Sequence, residues 1–255
     1  MSAAGFDPAP AVRRLAGMWR DMRQIDALPL EERPRNLVEA YAIQRRLIEE
    51  IGEPVRGYKL GQSSVAAMER NGLGVPIMGF IPASRLYQSG STIEAPPASA
   101  LAIEVELALT LPAGWADDAL VEPTARLAIE VVRSRFARSD AVDLPSFISD
   151  GSGFHALVLG DAVPADRLAS HLADGAFLSQ DGRVVAKPAI GRERPDPYEV
   201  LARFRALSRM FGMPVAPHMV IATGSLVVPF EVIGEGEFEG RLGSSAVRFR
   251  ARRAP

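Results

Sequence analysis

Glu104 and Glu106 stand two residues apart in an apolar run at residues 101–111. In a strand, residues i and i+2 point to one side with α-carbons roughly 6.5–7 Å apart. Two carboxylates held that way repel each other unless they face water or share a cation. The spacing alone leaves both readings open, the solvent face of an edge strand or the wall of a cavity. Ala102 and Ala108 on the same face are small rather than long and polar, which suits a cavity better than a washed surface. Glu130 lies in a second apolar run, residues 128–132, where an unpaired carboxylate is costly to bury. Three carboxylates in a chain without cysteine suit a hard divalent ion such as Mg2+ or Mn2+. Spacing does not by itself bring Glu130 to the other two.

A basic group of unusual type comes next. The chain has 27 Arg and two Lys, Lys59 and Lys187. A retained lysine offers a compact ammonium whose proton affinity the surroundings can tune. Lys59 sits between Gly57 and Gly61, and glycines there permit close approach of a ligand. Thr223, Gly224 and Ser225 follow an apolar run and could offer hydroxyls and a backbone amide to an anion. His155 and His218 read as ordinary packed or surface histidines.

Composition narrows the classes. The chain has 255 residues, 47% hydrophobic and 24% charged, with a formal net charge of −2. That is an ordinary globular composition, without the basic excess of a dedicated nucleic-acid binder. The absence of cysteine excludes disulfides, zinc-thiolate sites, iron–sulfur clusters and thiol catalysis. No apolar run of roughly 18 residues reads as a membrane span, and the N-terminus lacks the pattern of a secretory signal. The expectation is a cytoplasmic enzyme with no nucleic-acid or membrane partner.

The elements that must position these residues follow from periodicity. Val12, Leu15, Trp19 and Met22 predict an amphipathic helix over 8–25. A second helix is expected over 37–51, with Asn36 as its cap and Gly52 at its end. Short β runs follow at 57–62, 127–132, 156–159, 220–232 and 245–249. Residues 101–111 alternate strictly and predict a strand, whereas 72–91 read as loop with short strands. Asp196, Pro197 and Glu199 open a late helix that runs to 211. Helices gather at the start and strands follow, which suggests α+β. The expected layout is an N-terminal helical segment, 1–52, packed on a β-rich body, 53–255.

These residues, in this order, resemble the 2-keto-4-pentenoate hydratase and 4-oxalocrotonate decarboxylase group of the fumarylacetoacetate hydrolase superfamily. The matching pieces are residues 40–44, the lysine motif at 57–61, Pro76 with Gly79, Glu104 and Glu106, residues 128–132 with Ser134 and Arg135, Asp150 ten residues before Gly160, and residues 223–225. They extend over roughly 37–250. The resemblance implies a mixed, β-rich roll with helices packed outside. It implies that Glu104, Glu106 and Glu130 ligate Mg2+ or Mn2+. Lys59, Ser84 and Asp150 occupy positions of catalytic interest, and Lys59, Thr223, Gly224 and Ser225 positions that contact substrate. The implied substrate is a small 2-hydroxy-2,4-dienoate or its 2-oxo tautomer from aromatic-ring breakdown. A homo-oligomer is implied, in some cases associated with a related pathway enzyme.

The chain also departs from the pattern. Ser84 stands where the family usually carries an acid that assists water or proton transfer, and the family's Asp-Asn pair is Asp150-Gly151. The leading expectation is a metal-dependent hydratase of a dienoate. The alternatives are decarboxylation of a vinylogous 2-oxo acid at the same site, carbon–carbon bond hydrolysis of an acylpyruvate, and a non-catalytic partner subunit.

Overall fold

A computed structural model describes residues 5–95, 100–115, 122–138 and 142–253. Two helices open the chain, α1 (Ala9–Asp21) and α2 (Leu37–Ile51). The first ends four residues short of the expected boundary, because Met22 turns into the left-handed region at φ 52°. The second matches its reading: the Asn36 side chain accepts from the Glu39 amide and Gly52 closes the helix at φ 71°. Tyr41, Ile43 and Leu47 of α2 are fully covered, and its packing on α1 carries the N-terminal segment onto the rest of the fold.

The body follows as β1 (Val55–Gly61), α3 (Val65–Arg70), β2 (Ile77–Pro82), β3 (Leu86–Gln88), β4 (Ser91–Ala95), β5 (Leu101–Thr110) and β6 (Thr124–Val132). Next come α4 (Leu144–Ser149), β7 (Phe154–Ala162), α5 (Ala165–Asp174), β8 (Ala176–Gln180), β9 (Arg183–Ala186) and α6 (Pro197–Phe211). The chain closes with β10 (Val220–Ser225), β11 (Phe230–Val232), β12 (Gly236–Leu242) and β13 (Ser245–Arg253).

Two mixed sheets form the body. The larger runs β2-β1-β10-β5-β6-β7-β3, with β11 beside β5; the smaller runs β4-β13-β12-β8-β9. They pack face to face, and Gly160 of β7 approaches Val247 of β13 so closely that a Cβ there would lie 2.4 Å from the Val247 Cβ. Leu101, Ile103, Val105, Leu107 and Leu109 of β5 are all buried, the apolar face that the alternation predicts.

The β run expected over 220–232 is two strands separated by an irregular turn, because β10 leaves its register with β5 after Ala222. Helices α3, α4 and α5 and strands β8, β9 and β12 were not legible in the pattern. Among the described residues, no helix is long and apolar enough to cross a membrane.

Candidate metal centre

Strands β5 and β6 bring the three glutamates together. Glu104 faces Glu130 directly across the antiparallel pair, and Glu106 faces Ala128 in the same register. Like charges directly opposite on one face destabilise a sheet, so this register needs a compensating partner. Each glutamate offers one carboxylate oxygen, and these three oxygens lie within 4.8 Å of one another. Glu106 and Glu130 are buried, and Glu104 is partly open to a cavity.

Lys59 supplies part of the compensation. Its Nζ lies 3.2 Å from Glu130 Oε1, although three sheet positions separate β1 from β6. The strongly curled sheet makes that reach possible. Its neighbours there are glycines: a Cβ at Gly79, the Lys59 partner on β2, would lie 3.4 Å from Lys59 Cε, and a Cβ at Gly61 would lie 3.5 Å from Nζ.

Gly224 orients the second carboxylate. Its amide donates to Glu106 Oε2 at 2.8 Å, just where β10 leaves its register with β5. The residue has φ 102°, and a Cβ there would lie 1.9 Å from Ser63 Oγ. Only glycine meets both demands. Gly57 has a different task from the one its spacing suggested. A Cβ there would lie 1.9 Å from the Val220 carbonyl oxygen, so it permits the close parallel packing of β1 on β10 rather than approach of a ligand.

Electrostatics leave the cluster short of positive charge. Burial, then the Glu130 charge, pushes Glu104 up to about 7, against the pull of Lys59. Burial, Glu130 and Glu104 push Glu106 well above the usual carboxylate range, opposed by the Gly224 amide and Lys59. Glu106 Oε1 is buried without a hydrogen-bond partner, and Glu130 Oε1 has no hydrogen bond beyond its ion pair. Three converging oxygen donors with orphaned lone pairs and one ammonium fit a hard divalent cation. Glu104, Glu106 and Glu130 would hold it.

A cavity of about 590 Å3 opens above the cluster, reached by Lys59, Glu104, Gly224 and Ser225. Its apolar lining includes Ile77, Val132, Phe147 and Val227. A larger depression, about 800 Å3, crosses the outer face of the smaller sheet, among the ion pairs Glu237–Arg250 and Glu239–Arg248. It contains none of the converging carboxylates, so the chemistry belongs to the smaller cavity.

The remaining candidates are placed differently. Ser84 is exposed, and its amide donates to Glu53 at 3.0 Å. Asp150 is fully buried; its Oδ1 meets Arg135 Nε at 2.6 Å and its Oδ2 accepts from Ser134 and the Arg135 amide. Neither residue lines the cavity. Ser84 lies on the surface turn after β2, and every Asp150 oxygen is committed to bracing the chain after β6. The Thr223 hydroxyl donates to the Leu107 carbonyl at 2.9 Å, a bond inside the sheet. The Ser225 hydroxyl donates to Val227 but lies on the cavity wall. His155 is buried, and burial holds its ring neutral, down to about 3. Arg70 and Glu193 also line the cavity, and no spacing in the sequence marked them.

No protein-family model and no curated protein matches the chain. The comparison with solved structures is decisive for the fold. The 4-oxalocrotonate decarboxylase from Pseudomonas putida G7, complexed with magnesium and adipate, superposes with a TM-score of 0.79 at 21% identity, over 96% of this chain and 98% of that one. The fold is that of the fumarylacetoacetate hydrolase superfamily. The same decarboxylase complexed with calcium and acetate gives a TM-score of 0.77 at 20% identity, with the same coverage. A 2-keto-3-deoxyarabinonate dehydratase gives 0.56 at 15% identity, over 80% of this chain and 75% of that one. In this fumarylacetoacetate hydrolase-type fold the three glutamates converge from two adjacent central strands, with Glu104 on the cavity lining.

Proposed function

We propose that the chain is a divalent-metal-dependent lyase acting on a small conjugated 2-oxo acid of aromatic-compound breakdown. The observation that carries this reading is the convergence of Glu104, Glu106 and Glu130 on one point beside Lys59, at the floor of a cavity. A cation held there supplies Lewis-acid chemistry toward the substrate's 1-carboxylate and 2-oxo oxygens. The chain's own groups do the rest. Lys59 Nζ balances negative charge that grows on the 2-oxo oxygen and holds a proton within reach of it. Gly224 fixes Glu106, so its carboxylate need not reorganise during turnover. The apolar wall at Val132, Phe147 and Val227 covers the carbon chain and excludes water.

Decarboxylation of a vinylogous 2-oxo acid is the favoured outcome, and hydration of a dienoate is second, the reverse of the order read from the sequence. Hydration needs a group that activates water. Ser84, which stands where the family's water-assisting acid usually is, lies on the surface, and Asp150 is held in a buried ion pair. Loss of carbon dioxide needs no activated water. The overall likeness to a decarboxylase, over nearly the whole of both chains, supports the same order.

The test is incubation of the Mg2+- or Mn2+-loaded protein with 2-oxohex-3-enedioate, followed by measurement of carbon dioxide and of organic product. Metal-dependent release of carbon dioxide is expected. A hydrated product without carbon dioxide would overturn decarboxylation in favour of hydration. Metal binding with neither product would favour a non-catalytic subunit.

A further inference from the structure

A second cluster of ionisable groups lies where the end of α1 meets the chain leaving β6. Arg133 and Arg135 follow that strand two residues apart, and Arg85 ends the turn after β2. Arg133 and Arg135 are 4% and 3% exposed, and Arg85 is half-buried. Arg135 is fully used: it donates to Asp150 and to the Phe154 carbonyl, and its guanidinium lies 4.1 Å over the Trp19 ring. Arg133 is not. It donates to the Met22 carbonyl at 2.8 Å, and its Nε is buried without a partner. The Trp19 indole Nε1, on a side chain 6% exposed, is also buried without a partner. Among the described residues, Arg85 has neither a hydrogen-bond nor an ion-pair partner.

The shortfall has one sign. Burial, then Arg135, pushes Arg133 down to about 10, against the pull of Asp150. Arg85 is lowered by burial and by Arg135, with Tyr87 and Glu53 opposing. Both acids are engaged: Asp150 with Arg135 and Ser134, and Glu53 with the Ser84 amide. His155 faces all three guanidiniums as a neutral ring, its Nε2 3.2 Å from the Glu94 carbonyl. Every group left without a partner is a donor. Buried donors left unmade cost free energy, and an unfilled set of them points to a bound ion or water. Water would answer one donor but not the excess charge. A ligand that answers both carries acceptors only and is negative, and arginine forks match the oxygens of a tetrahedral oxyanion.

We propose that Arg85, Arg133 and the Trp19 indole form a binding site for a small tetrahedral oxyanion, phosphate or sulfate, entered past Arg85 from the turn after β2. The bound ion ties α1 to the chain after β6. None of these three residues lines the cavity above the glutamates. The site therefore stands apart from the metal centre and does not rest on its reading.

The test uses the full chain in chelator, so that no cation contributes. Inorganic phosphate and sulfate are titrated calorimetrically into the wild type, Arg133→Met and Arg85→Gln, with ionic strength held constant by sodium chloride. The wild type is expected to take up one oxyanion per chain, and its Tm to rise as phosphate replaces chloride. Each variant should bind at least about tenfold more weakly, the scale of one charge-assisted contact. Arg85→Gln changes a half-buried residue on a turn, so the test stands even where Arg133→Met fails to fold. Glycerol 3-phosphate separates the sources of the ligand. Phosphate binding without ester binding supports a free ion, and ester binding as tight as phosphate supports a phosphate carried on an organic group. No saturable uptake of phosphate or sulfate by the wild type, or wild-type affinity in either folded variant, would overturn the proposal. A Tm that responds to chloride as it does to phosphate would overturn it too.

Discussion

Glu104 of β5 and Glu130 of β6 are direct cross-strand partners, so one sheet register sets two carboxylates opposite each other on a covered face. A sheet rarely tolerates that arrangement, since a one-residue slip would separate them. Here the register is held by the apolar opposite face of both strands. Folding energy from that face maintains a site that is electrostatically unfavourable when empty of cations.

The pH dependence of stability should expose this cost. In the metal-free fold, Glu104 titrates near 7, against 4.5 for an ordinary glutamate. Between those values the folded chain keeps a proton that the unfolded chain has lost, so stability falls as pH rises through the window. Glu106 is shifted in the same direction and adds to the loss. Each pH unit is worth up to about 1.4 kcal/mol per group. His155 acts oppositely: held neutral down to about 3, it costs stability as pH falls below about 6.5. Comparison with Glu104→Gln cancels the His155 contribution. Melting curves in chelator from pH 5 to 8 should show the wild type losing Tm relative to the variant as pH rises. Parallel curves would contradict the shift.

Lys59→Met separates the two roles of the lysine. Lys59 pairs with Glu130 at 3.2 Å and so competes with a cation for the same oxygen. Its removal should lower the Tm of the metal-free protein, because three carboxylates then share no positive partner. Affinity for Mn2+ should hold or rise, while turnover falls at least about 100-fold with loss of a positioned proton donor. Loss of metal binding in this variant would show that Lys59 builds the site instead of serving the substrate.

Gly224→Ala tests the link between backbone and ligand geometry. The new methyl group would need space that Ser63 Oγ occupies, at a positive φ. A loss of at least about 2 kcal/mol in stability is expected from the clash and the strained backbone. Metal affinity should fall as well, since the Gly224 amide that holds Glu106 must move. Denaturant melts and Mn2+ titration of the same sample check both. Weakened stability with intact affinity would mean that Glu106 is oriented by other contacts.

Much of this site was legible and part was not. Strict alternation over β5 put Glu104 and Glu106 on one small-residue face, and an acid among apolar neighbours marked Glu130. Both are local signals. Pairing of β5 with β6 is non-local, so no spacing could state that Glu104 and Glu130 face each other. Nor could spacing show that Lys59 reaches Glu130. A buried carboxylate such as Asp150 looks alike in sequence whether it serves a ligand or an arginine. For Ser84, loop position alone does not tell a surface turn from a cavity wall. Helix α3 was missed since its six residues are too few to show a period, although Ser64 caps it. Arg70 was hidden with it.

Asp150→Asn should confirm the structural reading of that residue. It removes the charge opposite Arg135, both being nearly inaccessible. Breaking a buried pair this way costs about 3–5 kcal/mol. The fraction that folds should bind Mn2+ with wild-type affinity, since Asp150 lies outside the cavity. A folded variant with impaired metal binding would return Asp150 to the functional site.

The central claim is that Glu104, Glu106 and Glu130 bind one divalent cation together. Calorimetric titration of chelator-stripped protein with Mn2+ tests it most directly, on the wild type and on each single Glu→Gln variant. The account predicts one ion per chain, with affinity lowered at least about tenfold in every variant, the smallest effect expected even of a more distant partner. No uptake by the wild type, or equal uptake by the three variants, would contradict it.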